Sequence, residues 1–122
     1  MSAEPIEAYS AYSAAWREMD ASARDELLQR AWSEKGEFVD PENLDGLIGR
    51  EELSGYIADT HAEMPGLVVT ETSDPEILGD RLRVKWIARQ HGEETYTGTD
   101  FVEFDEDGRV SRLTMFYDST PD

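Results

Sequence analysis

From Gly66 onward the apolar residues of this chain recur at every second position, and one carboxylate, Asp100, falls on the apolar side of that alternation. Period two marks strands with one buried face. Two turn signals, His91-Gly92-Glu93 and Asp107-Gly108, cut the region into consecutive antiparallel strands. Leu82, Val84, Trp86 and Ala88 form the inner set of the first, opposite a largely basic outer set of Arg81, Arg83, Lys85, Ile87 and Arg89. Tyr96, Gly98, Asp100, Val102 and Phe104 form the inner set of the second, and Leu113, Met115 and Tyr117 that of the third. A sheet that places a single acid on its apolar face is building a pocket, not only a core.

The preceding residues read as helices. Pro5 suits a first helical position, with Ile6, Tyr9, Tyr12, Trp16 and Met19 following at helical spacing. Asp20 or Ser22 caps a second helix that buries Leu27, Leu28, Ala31 and Trp32 and ends at Gly36. Glu37 to Asp40 is then a short strand stopped by Pro41, residues 42–48 a loop, and Gly49 to Glu63 a third helix burying Leu53, Tyr56, Ile57 and His61. Leu67 to Thr72 opens the sheet, and Ile77-Leu78 extends it past Asp74-Pro75. Three helices on the concave face of a curved, mostly antiparallel sheet of four to five strands make an α+β domain over residues 1–122. Trp16, Trp86 and Asp100 are expected to share one cavity.

Composition narrows the function. The formal charge is −17, from 28 acids against 11 bases, so nucleic acids and anionic membranes are excluded as partners. Only Lys35 and Lys85 are lysines, a balance that fits both a salt-rich cytoplasm and a GC-rich coding sequence. There is no cysteine, so disulfides and thiolate chemistry do not arise. The chain opens on Met-Ser-Ala-Glu-Pro, without the basic start and apolar run of a signal peptide. No stretch approaches the roughly 18 apolar residues of a membrane span, and a cytoplasmic location is expected. No cluster has metal-ligand spacing and no glycine loop could cradle phosphate, so neither metal nor cofactor is expected.

The acidic Asp40-Pro41 pair, Gly49, Trp86, the Gly98-Thr99-Asp100-Phe101 box and the Asp107-Gly108-Arg109 turn occur in an order similar to that of the nuclear transport factor 2-like superfamily. The resemblance runs from about Ile6 to Tyr117 and points to the SnoaL-like branch. It implies a cone-shaped sheet wrapped around the three helices, with an internal cavity. Compared with ketosteroid isomerase, Asp40 resembles the catalytic base and Asp100 the protonated acid of the oxyanion hole. The tyrosines of that enzyme fall at Trp16, Trp32 and Ile57, which leaves no phenol for an enolate oxygen and disfavours steroid isomerisation. In the polyketide cyclases, Asp100 resembles the general acid/base, while Trp86 takes the place of the assisting histidine. His91 is nearer a hairpin tip and His61 lies on the third helix. The limonene epoxide hydrolase pattern needs an arginine between carboxylates, whereas Arg81, Arg83 and Arg89 alternate outward.

The resemblance thus implies cofactor-independent isomerase, cyclase or dehydratase chemistry at Asp100, with Asp40 and His61 as further acid/base candidates. Trp16, Tyr56, Trp86, Val102, Leu113, Met115 and Tyr117 would bind a small apolar or amphipathic molecule, in a homodimer formed through the outer sheet face. The other reading is a non-catalytic ligand-binding or dimerisation domain with a filled cavity. In that case Asp100 is a hydrogen-bonded structural anion, Asp40 caps its own turn and His61 is a satisfied core histidine.

Overall fold

Residues 4–120, the part described by the computed structural model, run through α1 (Pro5–Ala15), α2 (Ala21–Ala31), β1 (Trp32–Asp40), β2 (Asn43–Ile48), α3 (Arg50–Glu63), β3 (Leu67–Glu71), β4 (Glu76–Leu78), β5 (Arg81–Gln90), β6 (Glu93–Phe104) and β7 (Val110–Ser119). The first three residues, read above for targeting signals, lie outside this range. All seven strands join one curved, open sheet in the order β2-β1-β7-β6-β5-β3, with β4 also on β5, beyond the end of β3. Every pairing is antiparallel except that of β1 with β7. Three helices against such a sheet give the α+β architecture expected from the alternation of helical and strand periods.

Seven strands exceed the four to five expected: β4 is a strand of its own on β5 rather than a continuation of β3, and β2 is added where the chain around Gly36 and Asp40 departs from the expected helix end and loop. Trp32 does not close α2 but starts β1, at φ −117° and ψ 131°. Its buried indole stacks on Tyr12 with ring centroids 5.4 Å apart. Gly36 is therefore not a helix stop. A Cβ there would overlap the Trp32 ring and crowd the Val110 carbonyl, so glycine is required by close approach. Residues 43–48 are not a loop but the edge strand β2, folded back on β1 across a turn at Pro41-Glu42 with Asp40 opposite Asn43. Gly49, with φ +89°, then turns the chain into α3, a conformation that favours glycine.

The inner faces of β5, β6 and β7 are those expected from the alternation, except that α1 buries a different stripe. Ala8, Tyr9, Tyr12, Ser13 and Ala15 turn inward, whereas Ile6 and Met19 are exposed, Met19 lying past the helix end. Asp20 caps α2 by accepting from the Ala23 amide at 2.9 Å. On β5, Ile87 is buried even though it lies on the outer face. Among the described residues no helix is long and apolar enough to cross a membrane.

Candidate functional site

Trp86 stands directly opposite Gly98 in the β5–β6 pairing. Because Gly98 has no side chain, the indole lies across it. A Cβ would overlap the Trp86 ring and the Phe116 carbonyl oxygen. The ring thereby reaches the next inward position of β6, and its Nε1 donates to Asp100 Oδ1 at 3.0 Å. From the helical side, the Tyr9 hydroxyl donates to Asp100 Oδ2 at 2.8 Å. One donor from β5 and one from α1 thus hold a carboxyl that is only 3% exposed.

Burial is the dominant influence on this carboxyl. Desolvation lifts its pKa, the bonds from Tyr9 and Trp86 oppose that rise, and the negative charge of Glu71 adds to it, leaving a value of about 7. The charge that pushes the pKa up is thus that of Glu71. Burial also raises the Tyr9 and Tyr12 hydroxyls far above the usual phenol range, with the Asp100 charge next in importance, so both stay protonated donors. Tyr12 accepts from Trp16 Nε1 at 2.8 Å and keeps its own proton for another acceptor.

Asp100 forms part of the wall of a cavity of about 300 Å³ between the helices and the sheet. Of the residues singled out in the sequence, Trp16, Tyr56, Trp86, Met115 and Tyr117 also line it. Val102 and Leu113 do not. They pair with each other across β6 and β7, fully buried in the core beside Leu82 and Val84. His61 is buried behind the wall. Its Nε2 lies 2.6 Å from the Trp16 carbonyl oxygen, which can only accept, so that nitrogen carries the proton and ties α3 to the end of α1. His91 sits on the exposed β5–β6 turn.

Asp40 is buried but lies outside the cavity lining. Its Oδ1 accepts from the Glu42 amide at 3.0 Å and Asn43 Nδ2 at 2.8 Å, and its Oδ2 accepts from the Tyr56 hydroxyl at 2.7 Å. Three donors and a tight turn make it a scaffold for β2 and for Tyr56.

The sequence reading found no phenol at the tyrosine positions of the isomerase, which are occupied by Trp16, Trp32 and Ile57. The structure supplies Tyr9 and Tyr12 from α1 instead. Their spacing with Trp16 marked them as a buried stripe, and only the position of Asp100 against that stripe makes them site residues. Glu71 was missed as well. It sits at the end of β3, accepts from Ser13 Oγ at 2.9 Å and lies 3.8 Å from Arg17. Among the described residues no group of three His, Cys, Asp or Glu side chains is placed to hold a metal ion.

No protein-family model and no curated protein matches the chain. Solved structures do. A SnoaL-like family protein from Agrobacterium tumefaciens, described as a candidate isomerase, is 28% identical with a TM-score of 0.85, covering 93% of this chain and 97% of that one. A protein of ketosteroid isomerase-like fold from Catenulispora acidiphila, solved in complex with trimethylamine, is 21% identical with a TM-score of 0.72, covering 91% and 85%. A candidate polyketide cyclase from Sinorhizobium meliloti is 16% identical with a TM-score of 0.70, covering 88% and 92%. The last two show likeness of fold alone. The first neighbour matches the SnoaL-like branch of the nuclear transport factor 2-like superfamily that the sequence motifs resemble, and the other two share its fold.

Proposed function

We propose that this protein binds a small amphipathic molecule in the cavity and moves a proton on it without a cofactor, with Asp100 as the acid/base. The observation that carries this is a buried carboxyl in the cavity wall whose pKa of about 7 makes both of its forms available at neutral pH. In the ionised form Asp100 can take a proton from a carbon acid beside a carbonyl group. In the neutral form it can return the proton to another atom of the same ligand, which describes an isomerisation, or assist a ring closure or dehydration. Tyr9 and Trp86 fix the carboxyl, and the Tyr12 hydroxyl has a proton to donate to a ligand oxygen as charge develops there. Asp40 and His61 take supporting roles, Asp40 through Tyr56 and His61 through the Trp16 backbone.

An open cavity of about 300 Å³ supports this reading over a core filled by the chain's own side chains, since it reaches the low end of the roughly 300–1,000 Å³ usual for ligand sites. A thermal-shift screen of amphipathic ketones in D2O, followed by mass spectrometry of each stabilising compound, tests it. Deuterium should enter the carbon next to the carbonyl with wild-type protein and not with Asp100→Asn. A directly titrated Asp100 pKa at or below about 3.9, the ordinary aspartate value, would remove the basis for the proposal.

For association, we propose an isologous pair formed through the outer sheet face, which carries Arg81, Arg83 and Lys85 on β5, the exposed Phe116 on β7 and, on β3, the exposed Val68 opposite Arg89. Ile87, on the same face, is already buried within the subunit, so the exposed Phe116 supplies the apolar area. A monomeric mass by light scattering at tens of micromolar would exclude the pair.

A further inference from the structure

Every formally charged side chain lining the cavity is acidic: Asp100 in the wall, with Glu42, Glu63 and Glu71 also on its surface. Among the described residues no lysine, arginine or histidine lines it. Among the described residues, the cation next to these acids is Arg17, and it donates to Ser13 Oγ and the Val69 carbonyl while lying 3.8 Å from Glu71. Neither Glu42 nor Glu63 forms an ion pair among the described residues.

Aromatic rings make up much of the remaining wall. Trp16 and Tyr56 meet edge to face at 90°, with centroids 6.1 Å apart. Trp86 and Tyr117 meet at 75° and 6.3 Å, and Tyr96 stacks on Tyr117 at 5.0 Å. Ring pairs near right angles form corners, so a guest between them meets aromatic surface on more than one side. An ordinary apolar pocket needs rings but no acids. A pocket for a carboxylate or phosphate ester would need at least one cation. Rings with acids and no base are suited to a positive charge carried on an apolar body, through the ring quadrupoles and the carboxylates together.

We infer that the ligand of this cavity is an organic cation, an amine or quaternary ammonium compound with a compact apolar body. The inference rests on the reading of the cavity as a ligand site and adds the charge of its occupant. A volume of about 300 Å³ limits that body to about one ring or a short branched chain. The cation also couples to the acid/base group. Asp100 faces Tyr9 and Tyr12 from α1, Trp86 from β5, Met115 and Tyr117 from β7, and the charge of Glu71 from β3, with Arg17 beyond Glu71. A bound positive charge favours the ionised carboxyl, so binding releases a proton and affinity increases as pH rises through 7.

Calorimetric titration with benzyltrimethylammonium, benzyl alcohol and phenylacetate at 0.15 M salt is the test. The quaternary probe cannot itself titrate, so any pH dependence comes from the protein. The expected result is that the cation binds about tenfold or more tightly than the alcohol, phenylacetate does not bind, and the cation loses affinity between pH 8 and pH 6. Glu42→Gln with Glu63→Gln should weaken the cation about fivefold. Glu51→Gln with Glu93→Gln, which removes equal charge from exposed positions outside the cavity, should leave it unchanged. Binding of the alcohol as tight as that of the cation, or equal losses in the two double variants, would overturn the inference. The Asp100 pKa measured without ligand separates the two proposals. A value near 7 with no preference for the cation leaves proton transfer standing and removes the cationic ligand. A value near 3.9 with strong cation binding does the reverse.

Discussion

The Tyr9 hydroxyl donates to Asp100 Oδ2 at 2.8 Å, joining the first helix to the sixth strand across 91 residues of chain. This bond, together with that from Trp86, keeps the Asp100 pKa from rising further than burial alone would take it. Tyr9→Phe should therefore raise the pKa above about 7 and shift any acid/base activity to higher pH. A hydrogen bond to a charged buried group contributes on the order of 1.5–3 kcal/mol, and urea unfolding above pH 8, where Asp100 is ionised, should show a loss of that order. Carbon-detected NMR titration of the carboxyl measures the pKa directly.

Asp100 also sets a pH dependence of stability. Its folded pKa, about 7, exceeds that of the unfolded chain, so between about pH 4 and 7 the folded state holds a proton that the unfolded state has released. The stability this confers is complete below the unfolded pKa and is lost as pH rises through the folded one. Asp100→Asn lacks that term. Between pH 5 and pH 8 the variant should gain about 2–3 kcal/mol relative to wild type, being neutral or slightly stabilising near pH 7. Its amide oxygen must face Trp86 Nε1, which can only donate, and the Tyr9 hydroxyl can turn to accept from the amide nitrogen. Denaturant midpoints at the two pH values check this.

Gly98→Ala should act on the site through Trp86. The added methyl would overlap the indole and the Phe116 carbonyl, so the ring must move off Asp100 or the strands must part. The expected cost is about 1–3 kcal/mol, the range of overpacking. The indole N–H resonance of Trp86 should lose its hydrogen-bonded shift, and the Asp100 pKa should rise as that donor withdraws.

Arg24 gives a prediction away from the cavity. It is buried, and its guanidinium donates to the carbonyls of Glu18 at 3.1 Å and of Met19 and Ser54 at 3.4 Å, fastening α2 to the α1–α2 turn and to α3. Arg24→Met keeps much of the packing but removes the donors for three carbonyl groups. Thermal unfolding should show a loss of about 2–3 kcal/mol, whereas Arg30→Met, on the exposed side of the same helix, should stay within about 0.5 kcal/mol.

Much of this architecture was legible in the sequence because strand alternation is a local signal. The inner sets of β5, β6 and β7, including Asp100, follow from period two and two glycine turns. The elements around Gly36 and Asp40 were not legible, because β2 lacks clean alternation and β1 begins at the residue that would otherwise end α2. Gly36 carries two meanings in a sequence, a helix stop or a close approach, and only the position of Trp32 distinguishes them. Trp86 was legible as a neighbour of Asp100, since both fall on the inner face of adjacent strands, but Tyr9 was hidden: it lies 91 residues away along the chain and fits an ordinary core stripe. Whether a phenol on such a stripe meets a carboxyl depends on how the helix docks, which periodicity does not encode.

The parallel pairing of β1 with β7 places the last strand of the domain at the middle of the sheet, between the first strand and β6. A chain emerging from the ribosome can close the β5–β6 hairpin locally, but β1 must wait, because Phe38 pairs with the level of Leu113. Closure over that separation is costly in chain entropy and slow compared with hairpin formation. Until Val110 to Ser119 is threaded in, β1 and β2 form an isolated hairpin, and the cavity lacks the wall provided by Met115 and Tyr117. The binding site is therefore among the last features of this domain to form as β7 joins the sheet, and it cannot form ahead of the fold that shields it.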